Sequence, residues 1–165
     1  MHRVLAWLAL ALLAVASTGC GFHLRGEVPV PPGISPVHIQ AKGGSVLSPV
    51  LADVLRKRGV QVTGSSGAAQ LTIRLLEEKT DSRVLAVNRS GKVIAYELSY
   101  RVEFDAVGPG AKRPVEAQVV EQAREYVNAD TEVLGKAQEA DLIRKDLVQD
   151  LADRILRRLL AQLTP

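Results

Sequence analysis

Apolar positions change their spacing from one segment of the chain to the next, and each spacing predicts a different element. Val4 to Ala16 is an unbroken apolar run of 13 residues behind the basic start His2-Arg3. As a helix it would reach about 20 Å, short of a ~30 Å hydrocarbon core, so it reads as the apolar centre of an export signal and not as a membrane span. A strand-like Val37-His38-Ile39-Gln40 comes next. Leu47, Val50, Leu51, Val54 and Leu55 then recur at i, i+3, i+4, i+7 and i+8, one face of a helix. Ser48 reads as its N-cap, Pro49 as its first helical residue and Gly59 as the residue just past its end. Beyond the loop Gly64-Ser65-Ser66-Gly67, Leu71, Ile73 and Leu75 alternate with Thr72 and Arg74 before polar residues run on towards Val87.

The clearest alternation follows. Ile94, Tyr96, Leu98, Tyr100, Val102, Phe104 and Ala106 share one face against Ala95, Glu97, Ser99, Arg101, Glu103 and Asp105, a half-buried antiparallel strand. Gly108-Pro109-Gly110 turns the chain into a weaker strand from Val115 to about Val127, with Val115, Ala117, Val119 and Ala123 in phase. From about Thr131 to Leu163 the spacing becomes helical again. Leu147, Val148, Leu151, Ala152, Ile155 and Leu159 form a broad stripe, with Asp150–Arg154 and Asp153–Arg157 as i, i+4 pairs on the wet side. The expectation is an α+β fold of order β-α-β-β-β-α, two helices on one face of a four-stranded mixed sheet, the first two strands joined by a crossover. The expected organisation is a signal peptide over 1–19, a lipidated tether over 20–35 containing Pro29, Pro31 and Pro32, and a single α+β domain over 36–165.

Composition narrows the function. Apolar residues make up 47% of the 165 and charged ones 24%, enough for a packed core. The only Trp and Met, Trp7 and Met1, lie in the leader, leaving Phe22, Tyr96, Tyr100, Phe104 and Tyr126 as the aromatics of the mature part. Removing the leader with Arg3 lowers the formal charge from +3 to +2. Few aromatics and a near-neutral balance exclude nucleic acid as the expected partner. A lone cysteine excludes an intramolecular disulfide and a cysteine-rich zinc site.

Catalytic patterns are missing from the sequence. His23 falls in the tether and His38 on a short strand with no acidic or cysteine partner at motif spacing. Glu77 and Glu78, adjacent on a strand, point to opposite faces. No nucleophile elbow, zinc-binding helix or phosphate-cradling loop occurs, so the chain reads as non-catalytic, with no metal and no cofactor. Charges remain. Arg56, Lys57 and Arg58 close the first helix, either as compensation for its negative end or as lipid-headgroup contacts. Arg89-Ser90-Gly91-Lys92 forms the tip between the two longest strands, and Lys136 lies in the first turns of the last helix, where the dipole gives a cation nothing. Arg89 and Lys136 are either solvated charges or the cations that hold an anionic amphiphile.

Ser17-Thr18-Gly19-Cys20 resembles the bacterial lipobox, in which small residues admit the peptidase and the new N-terminal cysteine takes acyl chains. Cys20 is thus the expected lipidation site, and multiple chains give stable anchoring where one would be marginal. Cys20-Gly21-Phe22-His23-Leu24-Arg25-Gly26 further resembles the start of the LPS-assembly lipoprotein family LptE. Leu47-Ser48 with Leu55 and Gly59, Arg89-Ser90-Gly91 with Tyr96-Glu97, and Val133-Leu134-Gly135-Lys136 with Glu139-Ala140-Asp141-Leu142-Ile143 follow in the same order. The resemblance implies a non-enzymatic subunit of the outer-membrane lipopolysaccharide translocon, anchored on the periplasmic side, plugging the LptD β-barrel and helping it assemble. It further implies lipopolysaccharide binding at Arg89 and Lys136. The polar strand face of Glu97, Ser99, Arg101 and Glu103 suits a hydrophilic barrel lumen or plain solvent. A rival is a generic lipoprotein adaptor for peptidoglycan or another envelope complex, and a second a lipid-modifying hydrolase.

Overall fold

Three long strands carry the fold. The computed structural model describes residues 30–112, 114–127 and 133–163. In chain order the elements are β1 (Val37–Gln40), α1 (Leu47–Lys57), β2 (Val62–Thr63), β3 (Leu71–Val87), β4 (Val93–Val107), β5 (Val115–Val127) and α2 (Val133–Leu163). They form one mixed sheet of order β2-β1-β3-β4-β5. β1 runs parallel to β2 and β3, and β3, β4 and β5 form the antiparallel meander.

The fold class is the expected α+β, but the sheet has five strands instead of four. The added β2 is two residues long, with Val62 opposite Val37 and Thr63 opposite His38. Two residues carry no readable period, and this strand exists because β1 offers it an edge. Val37 N–H donates to the Gln61 carbonyl at 2.8 Å, and Gln70 N–H donates to the Pro36 carbonyl at 2.8 Å on the other side. The first crossover through α1 therefore ends on β2, and the chain then passes round the start of β1 to enter β3.

The start of α1 also differs. The helix begins at Leu47, so Ser48 lies inside it; Ser45 Oγ accepts the Ser48 N–H at 2.9 Å and takes the capping role. Pro49 becomes the third helical residue, where its missing N–H is still one of the unpaired first four. The end is as expected. Gly59 adopts φ +77°, with Gly59 N–H on the Arg56 carbonyl at 2.9 Å and Val60 N–H on the Leu55 carbonyl at 3.0 Å. These are the paired bonds of a Schellman cap, and Leu55 and Val60 both enter the core. Lys57 is held by Asp53 at 2.8 Å.

Both helices cover the same face. Leu51 and Leu55 of α1 join Leu147, Leu151, Ile155 and Leu159 of α2 over Ile73, Leu75, Val102 and Phe104 of the sheet. Val30 and Ile34 pack against this core from residues preceding β1. β4 keeps the expected alternation along its buried stretch, but its neighbours are bulged. Between Leu75 and Glu77 β3 changes phase, so Glu78, Thr80 and Ser82 lie opposite Val102, Tyr100 and Leu98 on the helix side, and Glu77 turns outward. β5 shifts between the partners of Phe104 and Ala106. Val115 and Val120 are the buried residues, whereas Ala117 and Ala123 are exposed and Val119 lies on the open face. The in-phase set expected for β5 is therefore corrected by one bulge.

The wet-side pairs of α2 are corrected too. Asp150 accepts from Arg124 of β5 at 2.7 Å, Arg158 donates to the Val119 carbonyl at 2.8 Å, and Arg154 reaches the Glu121 carbonyl at 3.5 Å. β5 is an edge strand, so these arginines satisfy carbonyls that would otherwise invite another strand. Asp105, 1% exposed, lies on the sheet face opposite the helices and is clamped by Arg74, its direct partner on β3. Arg74 Nε donates to Asp105 Oδ1 at 2.7 Å and Nη2 to Oδ2, a bidentate pair. Bonding to that carboxylate raises the guanidinium pKa above its ordinary value.

Above the β3 bulge the Tyr100 hydroxyl donates to Glu78 Oε2. Burial first, then the Glu78 bond and charge, push the phenol well above the usual tyrosine value of about 10. The folded state thus binds the phenolic proton more tightly than the unfolded state. The stabilisation is fully present below pH 10 and is lost as pH rises beyond it. Chemical denaturation from about pH 9 to 11 should show a fall in unfolding free energy that Tyr100→Phe reduces; an unchanged slope would remove this residue from the alkaline response.

Candidate functional site

The link between β3 and β4 is a built turn. Asn88 carbonyl accepts the Gly91 N–H at 3.0 Å, Asn88 N–H donates to the Lys92 carbonyl at 2.8 Å, and Gly91 sits at φ +81°. A turn followed by a left-handed residue fits the right-handed twist of the flanking strands. The Asn88 side chain locks it: Oδ1 accepts from Ser90 N–H at 3.0 Å, Ser90 Oγ at 2.7 Å and Lys92 N–H at 2.9 Å. Arg89 is held at the exposed tip, and among the described residues its guanidinium has no acidic partner.

Lys136 falls in the first turn of α2, and its side chain lies outside the described residues. Backbone geometry still fixes its level. Asp150 is beside Arg124, which is opposite Leu98. Lys136 precedes Asp150 by fourteen residues, about 21 Å of helix. Val93 precedes Leu98 by five, about 17 Å of strand, and the turn lies just beyond it. α2 runs antiparallel to β5, as the Arg124–Asp150 and Val119–Arg158 contacts require, so its start reaches the same end of the sheet as Arg89. Cys20 lies outside the described residues.

The open face of the sheet is charged across its width. Arg83 pairs with Glu97 at 2.6 Å and Arg101 with Glu121 at 3.5 Å, each a direct cross-strand neighbour. On the other face, Val46, Thr80, Tyr100, Arg144, Leu147 and Val148 line a cleft of about 90 Å³. His38 is spoken for, its Nδ1 donating to the Thr63 carbonyl at 3.0 Å. Among the described residues no cluster of His, Cys, Asp and Glu could hold a metal, and no helix is long and apolar enough to cross a membrane.

A family model described as LptE, lipopolysaccharide-assembly, matches residues 31–159, from the approach to β1 through nearly all of α2. The chain belongs to the LptE family. The LPS-assembly lipoprotein LptE of Photorhabdus laumondii is 27% identical over 161 residues, spanning 96% of this chain and 86% of that one. The LptE of Yersinia enterocolitica is 25% identical over 96% of this chain and 76% of its own length. Among solved structures, lipoprotein B of Nitrosomonas europaea, determined by NMR, aligns with TM-score 0.72 and 28% identity over 86% of this chain and 92% of that one. The rare lipoprotein B of Shewanella oneidensis aligns with TM-score 0.65 and 25% identity over 76% and 93%. The α+β architecture is therefore one this chain shares with the lipoproteins of Nitrosomonas europaea and Shewanella oneidensis.

The turn-holding role of Asn88 was not read from the sequence, although its spacing from Gly91 is a turn signal of the Asx type. Replacing it with Ala removes three hydrogen bonds from the tip while leaving the strands intact. Amide exchange at Ser90 and Lys92 should accelerate at least about tenfold, equivalent to roughly 1.4 kcal/mol of local opening, with exchange in the centre of β4 unchanged. Equal protection in both proteins would show that the backbone alone holds the turn.

Proposed function

We propose that this LptE-family chain is the lipid-anchored, non-enzymatic partner of an LptD-type outer-membrane β-barrel. Acyl chains on Cys20 hold it at the periplasmic side of the outer membrane. The sheet lies within the barrel, and Arg89 and Lys136 present cations to the lipid A phosphates of lipopolysaccharide on its way to the outer leaflet. The observation that supports the reading best is the ion-paired open face, with Arg83–Glu97 and Arg101–Glu121 at its surface. A hydrophilic lumen accepts such a face, where an apolar one would be out of place. Arg89, on the turn bonded by Asn88 and without an acidic partner among the described residues, supports the binding role: its planar fork matches phosphate, and Lys136 adds a flexible point charge at the same end of the molecule.

The deciding experiment is a mild-detergent pull-down from envelopes through a C-terminal tag, with mass spectrometry of what stays bound. A large β-barrel recovered at one copy per copy is the expected result. Recovery alone, or with peptidoglycan enzymes, replaces the plug with the adaptor. For the site, Arg89→Glu combined with Lys136→Glu should weaken lipopolysaccharide binding by about tenfold or more, with the loss largest at low salt. Unchanged affinity would remove both residues from the site.

A further inference from the structure

Along β3, β4 and β5 the side chains change character before the strands end. Towards the turn, the charged open face stops at Arg83, Glu97 and Glu125. Beyond it stand Ala95 opposite Val127 and Val93 opposite Val87. On the helix side the core stops at Leu98, and beyond it Val84 lies opposite Tyr96, with Ile94 in phase with Tyr96. Tyr96 and Tyr126 stack with ring centroids 5.4 Å apart. The turn end of the sheet is thus apolar on both faces. Tyr126 packs against the core, but the aliphatic side chains of this end are exposed: Val84 51%, Val87 55%, Ile94 39% and Val127 66%.

Strands that emerge from a core normally become polar on at least one face, and grouped exposed apolar residues mark a binding surface. Here the group lies immediately beneath a turn whose guanidinium has no acidic partner among the described residues. A cation over a two-sided apolar end is complementary to an anionic amphiphile, with phosphate at the turn and hydrocarbon along the strands. A polar lumen wall would leave these four side chains in contact with water or polar groups.

We infer that the turn end of the β3–β4–β5 sheet is an acyl-chain subsite, in which Val84, Val87, Ile94 and Val127 receive hydrocarbon of the same amphiphile whose phosphates meet Arg89. The inference rests on the lipopolysaccharide-binding reading and adds the lipid half of the site. Recognition then has two separable parts, one electrostatic and salt-sensitive, the other proportional to apolar area and insensitive to salt.

The test uses the full chain with Val84, Val87 and Val127 each changed to Thr, which keeps the β-branched shape and strand preference while adding a hydroxyl. The probes are lipid A, its fully deacylated diphosphorylated disaccharide, and phosphatidylglycerol vesicles. The triple variant should bind lipid A about tenfold more weakly than the parent, with salt dependence unchanged, and both proteins should bind the deacylated disaccharide equally and weakly. Arg89→Glu should instead weaken both ligands. If the triple variant binds lipid A like the parent while Arg89→Glu does not, the subsite is wrong and the cationic reading stands. If the parent does not bind lipid A, both fall. Flotation of the parent with phosphatidylglycerol vesicles, lost in the triple variant, would assign the apolar end to a bilayer surface and overturn the subsite.

Discussion

The inner face of a long sheet has to be buried by helices that do not match it, and most of the molecule follows from that mismatch. β3 extends for about 58 Å, whereas α1 covers about 16 Å and α2 about 46 Å. Hydrophobic burial is therefore concentrated where both helices overlie the sheet. There Leu51, Leu55, Leu151 and Ile155 meet Ile73, Val102 and Phe104. Outside that zone the inner face is handled differently: by Glu78, Thr80 and Ser82 on β3, and by Gln122 and Arg124 on β5. The bulges in β3 and β5 make this possible. Each shifts the alternation by one residue, turning Glu78, Thr80 and Ser82 inward on β3 and Val120, Gln122 and Arg124 inward on β5.

Those same bulges set the limit of what the sequence could reveal. β4 has no phase change through its buried stretch, and its inward set from Leu98 to Ala106 was legible residue by residue. α1 and the stripe of α2 were legible because a helical period over several turns tolerates an occasional misfit. β5 was not. Its apolar residues fit an alternation through Val115, Ala117, Val119 and Ala123, broken only by Glu121, and only pairing with β4 shows that Val120, not Val119, is buried. β2 was hidden for a different reason: two residues owe their extended pairing to β1 and have no local signature. The charges on α2 followed the same rule. Spacing alone pairs Asp150 with Arg154, but a guanidinium on β5 and open carbonyls along its edge compete successfully for both.

The candidate site divides in the same way between local and tertiary information. Arg89 was legible because an Arg-Ser-Gly-Lys tip between two alternating runs reads as a hairpin turn, and the structure adds the Asn88 side chain, which bonds three groups of that turn. The proximity of the starts of α2 and β4 was not legible, since it depends on the antiparallel docking of α2 along β5. Preorganisation matters here because an arginine on a floppy loop loses side-chain and backbone entropy together on meeting phosphate, whereas one on a clamped turn loses chiefly its own rotamers.

Placing the unsatisfied surface at one end has a mechanical consequence. The end bearing β1, α1 and the C-terminus of α2 has its strand edges short or covered, by the two residues of β2 and by Arg154 and Arg158 on the carbonyls of β5. The Asp105–Arg74 clamp ties β3 to β4 within the same half. The fully buried side chains thus lie away from the turn, and the turn end carries exposed apolar side chains and a cation. A surface that contributes little to folding is free to exchange partners, which is the property the proposed amphiphile site requires.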